Sequence, residues 1–328
     1  MQPIVLGPNM PRQFYRGAGR IARFRGDGAP EDRPEDWVGA ATPRFGLAPD
    51  GITRLPGGDL LSDAIAADPV AWLGAEHVAR YGANPALLVK LLDAGQRLPV
   101  HVHPDRAFAA GHLASPYGKT EAWIVLEAEP GAAVHMGFRR DVAAAELAGW
   151  VRDQDVPAML AATNEVPVTA GDAVLCPAGT PHAIGAGVLV LEVQEPTDFS
   201  ILLEWQGFLP GPDGASVGLP MDEALECVHR GAWTGERVAS LRGPGVTGAA
   251  GSLLPAEADP FFVTERLGAG GFGPSYALLV VTDGTGTLVP ESGPAIAVGR
   301  GSTVLIPHAA GPCTLTGDVR AIRCLPGR

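Results

Sequence analysis

Two histidines stand two residues apart in the run LPVHVHPD (98–105), and that spacing bears on metal chemistry. The run is valine-rich and stops at Pro104, which predicts a β-strand. On a strand, alternate residues share a face, so His101 and His103 point one way while Val100 and Val102 point the other. A same-face pair of imidazoles either helps to hold a divalent cation or packs as hydrogen-bonded core groups, and the pair alone leaves both readings open. Two further residues suit proton transfer. Glu192 lies in VLVLEVQ (188–194), where a carboxylate turned into an apolar interior is costly unless it is paired or functional. The plainer alternative is a strand-end acid paired with an arginine. Lys119 is one of two lysines in a chain that otherwise carries its positive charge on arginine. A desolvated lysine can give up its proton and an arginine cannot, the plainer alternative being a solvated loop lysine.

The elements that must position these residues are mainly β. Glycine (44) and proline (31) are spread along all 328 residues, which predicts many short strands joined by tight turns. Helical spacing of apolar residues breaks that texture at 57–82 and 140–164, with Asp59 and Ser62 as candidate caps, and again at 219–233. The glycine- and proline-rich GFLPGPDGASVG before the last of these marks a boundary. The expected organisation is a first unit over 1–206 with helical insertions, a linker and helix over 207–240, and a second unit over 241–328. A hydrophobic fraction of 46% against 18% charge gives ample core. The net charge of -12 disfavours a nucleic-acid partner. No apolar run approaches a membrane span, and the amino-terminal stretch lacks the layout of a signal peptide, so the expected location is the cytoplasm. Cys176, Cys227, Cys313 and Cys324 have no C-x-x-C spacing and read as small buried apolar residues.

The stretch GDAVLCPAGTPHAIG (171–185) changes the weight of the histidine pair. Its spacing G-x5-P-x-G-x2-H, over Gly171, Pro177, Gly179 and His182, resembles the second motif of the cupin superfamily of small β-barrels. The first cupin motif is H-x-H followed by a Glu; His101 and His103 are followed by Glu121, but only after the 17 intervening residues PDRAFAAGHLASPYGKT. That late Glu, with LPVHVHPD, YGKTEAWIVLEAEPGA and GDAVLCPAGTPHAIGAGVLVLEVQEPTD, resembles type I phosphomannose isomerase of the short bacterial kind. The resemblance implies two cupin domains, the first catalytic and the second metal-free, and a zinc-dependent aldose-ketose isomerase acting on a sugar or sugar phosphate. With both motifs present, His101, His103, Glu121 and His182 are the expected ligands of one divalent metal; the set suits Zn²⁺, Mn²⁺, Fe²⁺ or Ni²⁺, and the resemblance favours Zn. The family usually has Gln at 101, and His is the stronger ligand. Glu192 and Lys119 are then the expected catalytic residues, a Glu near the metal being usual in the family at the first of these places. Oxygenase or decarboxylase chemistry on the same metal set, and a sugar-binding cupin without turnover, stay open as alternatives.

Two more features follow. GSTVLIPHAAGP (301–312) repeats the Gly-to-Pro spacing of 171–177, with Pro312 where the first repeat has His182, as expected of a second barrel that has lost its histidine. Around the pocket, the family's Ser and Arg correspond to Pro99 and Leu202. Losing that Arg removes a phosphate contact and predicts a weakened phosphate requirement, unless Arg97, Arg139 or Arg140 compensates; Arg139, Arg140 and Asp198 are the expected substrate-binding residues.

Overall fold

In the computed structural model, which describes residues 1–26, 28–30, 32–247 and 251–328, two five-stranded antiparallel sheets form the first barrel. One sheet orders the strands Glu35–Val38, Leu88–Ala94, Val188–Gln194, Glu121–Ala128 and Ala173–Cys176. The other orders Ile201–Leu202, His101–Val102, His182–Ile184, Ala133–Phe138 and Thr163–Pro167. Every residue of Leu88–Ala94 and of Val188–Gln194 is buried. Such strands read as continuous apolar runs because both of their faces are covered. A single apolar cluster joins Leu91, Leu191 and Ile124 of these strands to Leu61, Ile65 and Trp72 of the helical segment and to Leu278, Val280 and Ile322 near the carboxyl terminus.

The mainly β, two-domain cupin architecture is as expected, with local differences. The segment 57–82 forms three short helices, Leu61–Ala67, Pro69–Leu73 and Ala75–Tyr81, each ended by a residue that breaks the helical path. Asp59 and Ser62 cap none of them. The first helix has no side-chain cap, and the cap that forms is Asp68, whose carboxylate accepts from the Ala71 N–H. The segment 140–164 forms Ala144–Asp153 and Val156–Ala162, and the third holds Met221–Ala224 with a following 3₁₀ turn. The 17 residues before Glu121 contain an unforeseen helix, Arg106–His112, capped by Asp105. The Lys119 N–H donates to Pro104 O at 2.9 Å and closes this excursion, so a late Glu121 still starts its strand beside the histidines.

The carboxyl-terminal sheet has seven strands, built around the long antiparallel pair Ala277–Pro290 and Cys313–Pro326. Alternate residues of the former serve two cores: Ala277, Leu279 and Val281 pack within this unit, whereas Leu278 and Val280 join the cluster shared with the first barrel. Two sets of contacts cross the expected domain bounds. Ile4–Leu6 pairs with Thr303–Leu305, so the amino-terminal strand completes the carboxyl-terminal sheet. Segment 207–240 is no free linker either: Leu202 N–H donates to Ala215 O at 2.7 Å, and Trp233 packs on the shared cluster. Truncation before about residue 240 is therefore expected to give insoluble protein. It uncovers the partners of Leu278, Val280, Leu305 and Ile322, each worth roughly 1.5–3 kcal/mol of burial, and leaves Ile4–Leu6 unpaired. A soluble truncation with a sharp thermal transition would contradict this interface. Among the described residues, no helix is long and apolar enough to cross a membrane.

Candidate metal centre and adjoining cavity

The two sheets bring the motif residues together from opposite sides. His101 pairs with His182 across neighbouring strands of one sheet, and Glu121 pairs with Cys176 in the other. His103 follows directly on the strand of His101; the ring centroids of these two lie 4.9 Å apart, while Val100 and Val102 turn into a separate apolar cluster. The donor nitrogens of His101, His103 and His182 all lie within 4.8 Å of one another, and so do donor atoms of Glu121, Cys176 and His182.

Each imidazole is held by its Nδ1. The partners are the carbonyls of Pro99 at 2.8 Å, Phe199 at 2.7 Å and Thr180 at 2.8 Å. A carbonyl only accepts, so Nδ1 carries a proton in all three and Nε2 is the nitrogen left to face a metal. Backbone anchoring of one ring nitrogen is the usual way of aiming the other at a metal. Glu121 reaches across with Oε2 at 3.1 Å from His103 Nε2 and Oε1 at 3.2 Å from His182 Nε2, while Trp123 Nε1–H donates to Oε1 at 3.1 Å. His182 Nε2 and Glu121 Oε2 are buried and make no hydrogen bond. Two orphaned buried ligand atoms among three imidazoles and a carboxylate fit a divalent cation, which would satisfy both. Burial and the neighbouring Lys119 push His103 down to about 3, and burial with the other two imidazoles holds His101 well below its usual range. Burial pushes the Glu121 carboxyl up, but His103 and Lys119 more than reverse this and keep it ionised. Burial pushes the His182 imidazole down, but Cys176 and Glu121 more than reverse this and raise it well above its usual range. His101, His103 and Glu121 are thus in the forms that bind metal, and His182 would give up its proton as a cation binds.

Beside this centre lies a cavity lined by Tyr15, Glu35, Lys90, Lys119, Glu192 and Asp198, among others. Lys119 is buried, not a solvated loop residue: its ammonium donates to His103 Nε2 at 3.0 Å and stands 3.3 Å from Glu121 Oε2. Glu192 faces Lys90 across the sheet at 3.6 Å, and its Oε1 is buried without a hydrogen bond. Burial, together with the Glu121 charge, pushes the Glu192 carboxyl up to about 7. Asp198 lines the same cavity, 4.0 Å from Lys90.

Two expected substrate-binding residues are elsewhere. Arg139 donates to Thr163 O, and Arg140 pairs with Glu146 at the exposed start of a helix; neither lines the cavity. Arg97 is held by Glu204 through two contacts of 2.6 Å. Sequence reasoning missed Lys90, Glu35, Tyr15, Arg44 and Cys176. The signal that marks Glu192 also marks Lys90, a charge within the buried run LVKLLDA. Its ammonium is held by Glu35 at 3.5 Å and lies over the Trp37 ring at 4.6 Å, and Glu35 is hydrogen-bonded by Tyr15 and Trp37. Cys176 is buried as expected, and its sulfur lies within 4.8 Å of donor atoms of Glu121 and His182.

Comparisons with known proteins agree with this fold. A mannose-6-phosphate isomerase of Streptococcus mutans is 32% identical over 201 residues, which span 60% of this chain and 58% of that relative. Mannose-6-phosphate isomerase ManA of Bacillus subtilis is 37% identical over 112 residues, 34% of each chain. The matches thus cover less than two thirds of the curated relatives' length. No protein-family model matches. Among solved structures, a putative mannosephosphate isomerase from Archaeoglobus fulgidus superposes with a TM-score of 0.77 at 19% identity, covering 99% of this chain and 98% of its own. The mannose 6-phosphate isomerase of Bacillus subtilis superposes with 0.76 at 20% identity, covering 99% of both. The chain has the phosphomannose isomerase fold, and its sequence resemblance to type I phosphomannose isomerases is supported by named relatives.

Proposed function

We propose that the protein is a metal-dependent aldose-ketose isomerase that interconverts mannose 6-phosphate and fructose 6-phosphate through an enediol. The observation that carries this reading is the donor set: three imidazoles anchored through Nδ1 and the Glu121 carboxylate, at the side of a cavity that also holds a buried carboxyl with a pKa near 7. The named relatives and the shared fold support it. His101, His103, Glu121 and His182 would hold the cation, for which nitrogen-rich coordination suits Zn. A bound divalent cation supplies stabilisation for the negative charge that develops on the sugar oxygens.

The remaining chemistry belongs to the chain's own groups. Isomerisation takes a proton from C2 of the aldose and returns one to C1, with proton movement between the two oxygens. Glu192 is the group that carries the carbon-bound proton, because an acid–base group works best with a pKa near the working pH. Lys90 sits opposite as its fixed counter-cation, held in turn by Glu35 and Asp198. The Lys119 ammonium, buried next to the imidazoles, is placed to donate to a substrate oxygen. Leu98, Ile184 and Leu202 supply apolar wall to the same cavity. For such a charged sugar phosphate, which does not cross membranes unaided, we propose a cytoplasmic enzyme.

The test is turnover in heavy water. Protein loaded with Zn is expected to convert mannose 6-phosphate to fructose 6-phosphate with solvent deuterium entering the transferred position, as read by NMR. A protein that binds one metal yet exchanges no carbon-bound proton of mannose 6-phosphate or mannose would instead be a binder or a metalloenzyme of another class.

A further inference from the structure

Seven ionised side chains other than histidine line the cavity, and six of them already answer one another. Glu35, Glu192 and Asp198 surround Lys90, and Lys119 stands against Glu121. The seventh is Arg44. It lies in segment 43–51, which is tied to the cavity wall where the Phe45 N–H donates to Asp198 Oδ2 at 3.0 Å and the Phe45 ring meets Phe199 edge-on at 5.5 Å. Arg44 is braced on one side only: Nη1 donates to Asp50 Oδ2 at 2.9 Å. Its Nε is buried and makes no hydrogen bond.

A buried donor on a permanent cation calls for an acceptor, and the cavity is the open side from which one can come. A guanidinium presents its donors as a planar fork that matches the oxygens of a phosphate. Elsewhere the cavity wall carries four carboxylates, Glu35, Glu121, Glu192 and Asp198, which repel an anion. Leu202, standing where the resembled family has Arg, lines the same cavity and offers no donor. We infer that Arg44 binds the phosphate group of the sugar substrate, supplying from segment 43–51 the cation that position 202 lacks. This assignment rests on the sugar-phosphate isomerase reading above and gives that site its anion contact.

The test uses full-length, metal-loaded protein with two probes, inorganic phosphate by calorimetry and mannose 6-phosphate by turnover. Arg44→Ala is expected to raise the Kd for inorganic phosphate and the KM for mannose 6-phosphate by about ten- to a hundredfold, the size of one charge-assisted contact. Its kcat should change far less, and the preference for mannose 6-phosphate over mannose should fall by a similar factor. Arg44→Lys, which keeps the charge but not the fork, is expected to recover part of the loss. Asp50→Asn removes the brace and leaves the guanidinium, so phosphate binding should stay near that of the wild type. The inference is overturned if wild-type protein binds no inorganic phosphate. It is also overturned if Arg44→Ala leaves both constants unchanged, or if Asp50→Asn loses as much as Arg44→Ala, which would make Arg44 a loop brace. Calorimetry needs no turnover, so a protein that binds phosphate through Arg44 but isomerises no sugar would overturn the proposed reaction and not this assignment.

Discussion

His182→Ala is expected to purify with almost no bound metal and to lose isomerase activity by at least about a thousandfold, roughly 4 kcal/mol of transition-state stabilisation. Wild-type protein should carry about one divalent ion per chain. The expectation follows from the way the centre is built. His182 Nε2 is one of two ligand atoms of the centre that are buried without a hydrogen-bond partner, and it stands 3.2 Å from Glu121 Oε1, so its removal takes a ligand from the side where the two sheets meet. Neither remaining imidazole can swing into its place, because both are fixed by the carbonyls of Pro99 and Phe199. Elemental analysis alongside a thermal melt checks the result. A melt close to the wild type with metal content unchanged would remove His182 from the ligand set, and the same comparison applies to Glu121→Gln.

Glu192→Gln should leave metal content intact and slow deuterium exchange at the transferred position by about a hundred- to ten-thousandfold, the range of a lost general base. Lys119→Ala should also slow turnover. An unchanged exchange rate in both variants would sink their assignment to proton transfer. Stability gives a second, independent readout for Glu192. Its carboxyl is pushed up from 4.5 to about 7 in the folded protein, first by burial and then by the Glu121 charge. The folded state therefore holds this proton more tightly than the unfolded chain does. The stabilisation is complete below about pH 4.5 and is lost as pH rises through about 7, amounting to up to about 3 kcal/mol for this group. Glutamine stays neutral at every pH, so metal-free Glu192→Gln should be more stable than metal-free wild type at pH 8 and close to it at pH 4. A variant that is less stable at pH 8 would mean that the ion pair with Lys90, at 3.6 Å, outweighs the cost of burying the charge.

Within the candidate centre, the His101/His103 pair was legible from local periodicity, while Glu121 and His182 were reached through the resemblance to the two cupin motifs. Two-residue spacing puts His101 and His103 on one face whatever the partner strands are. Gly171, at φ 98°, Pro177 and Gly179, at φ 83°, shape the turn that returns the chain at His182, and these are backbone demands that few residues meet. Glu192 stood out because a charge inside an apolar strand carries its own cost wherever the strand lies. Distant pairings were not open to that reasoning. The sheet register sets Lys90 opposite Glu192, and a segment more than forty residues earlier brings Glu35 and Tyr15 to Lys90. Arg44 reaches the cavity on a segment tied to Asp198, which lies 153 positions away in sequence. Arg139 and Arg140, by contrast, are near the site in sequence but turn to Thr163 and Glu146. The same holds for the amino-terminal strand, whose three residues are too short to announce a partner and find one in the carboxyl-terminal sheet. Local steric and hydrogen-bonding rules act within a few residues, so the chain determined its metal-ligand candidates and its β character by itself. Which charges meet in the cavity depends on strand register and loop closure over tens to hundreds of residues, and only the packed tertiary structure decided that.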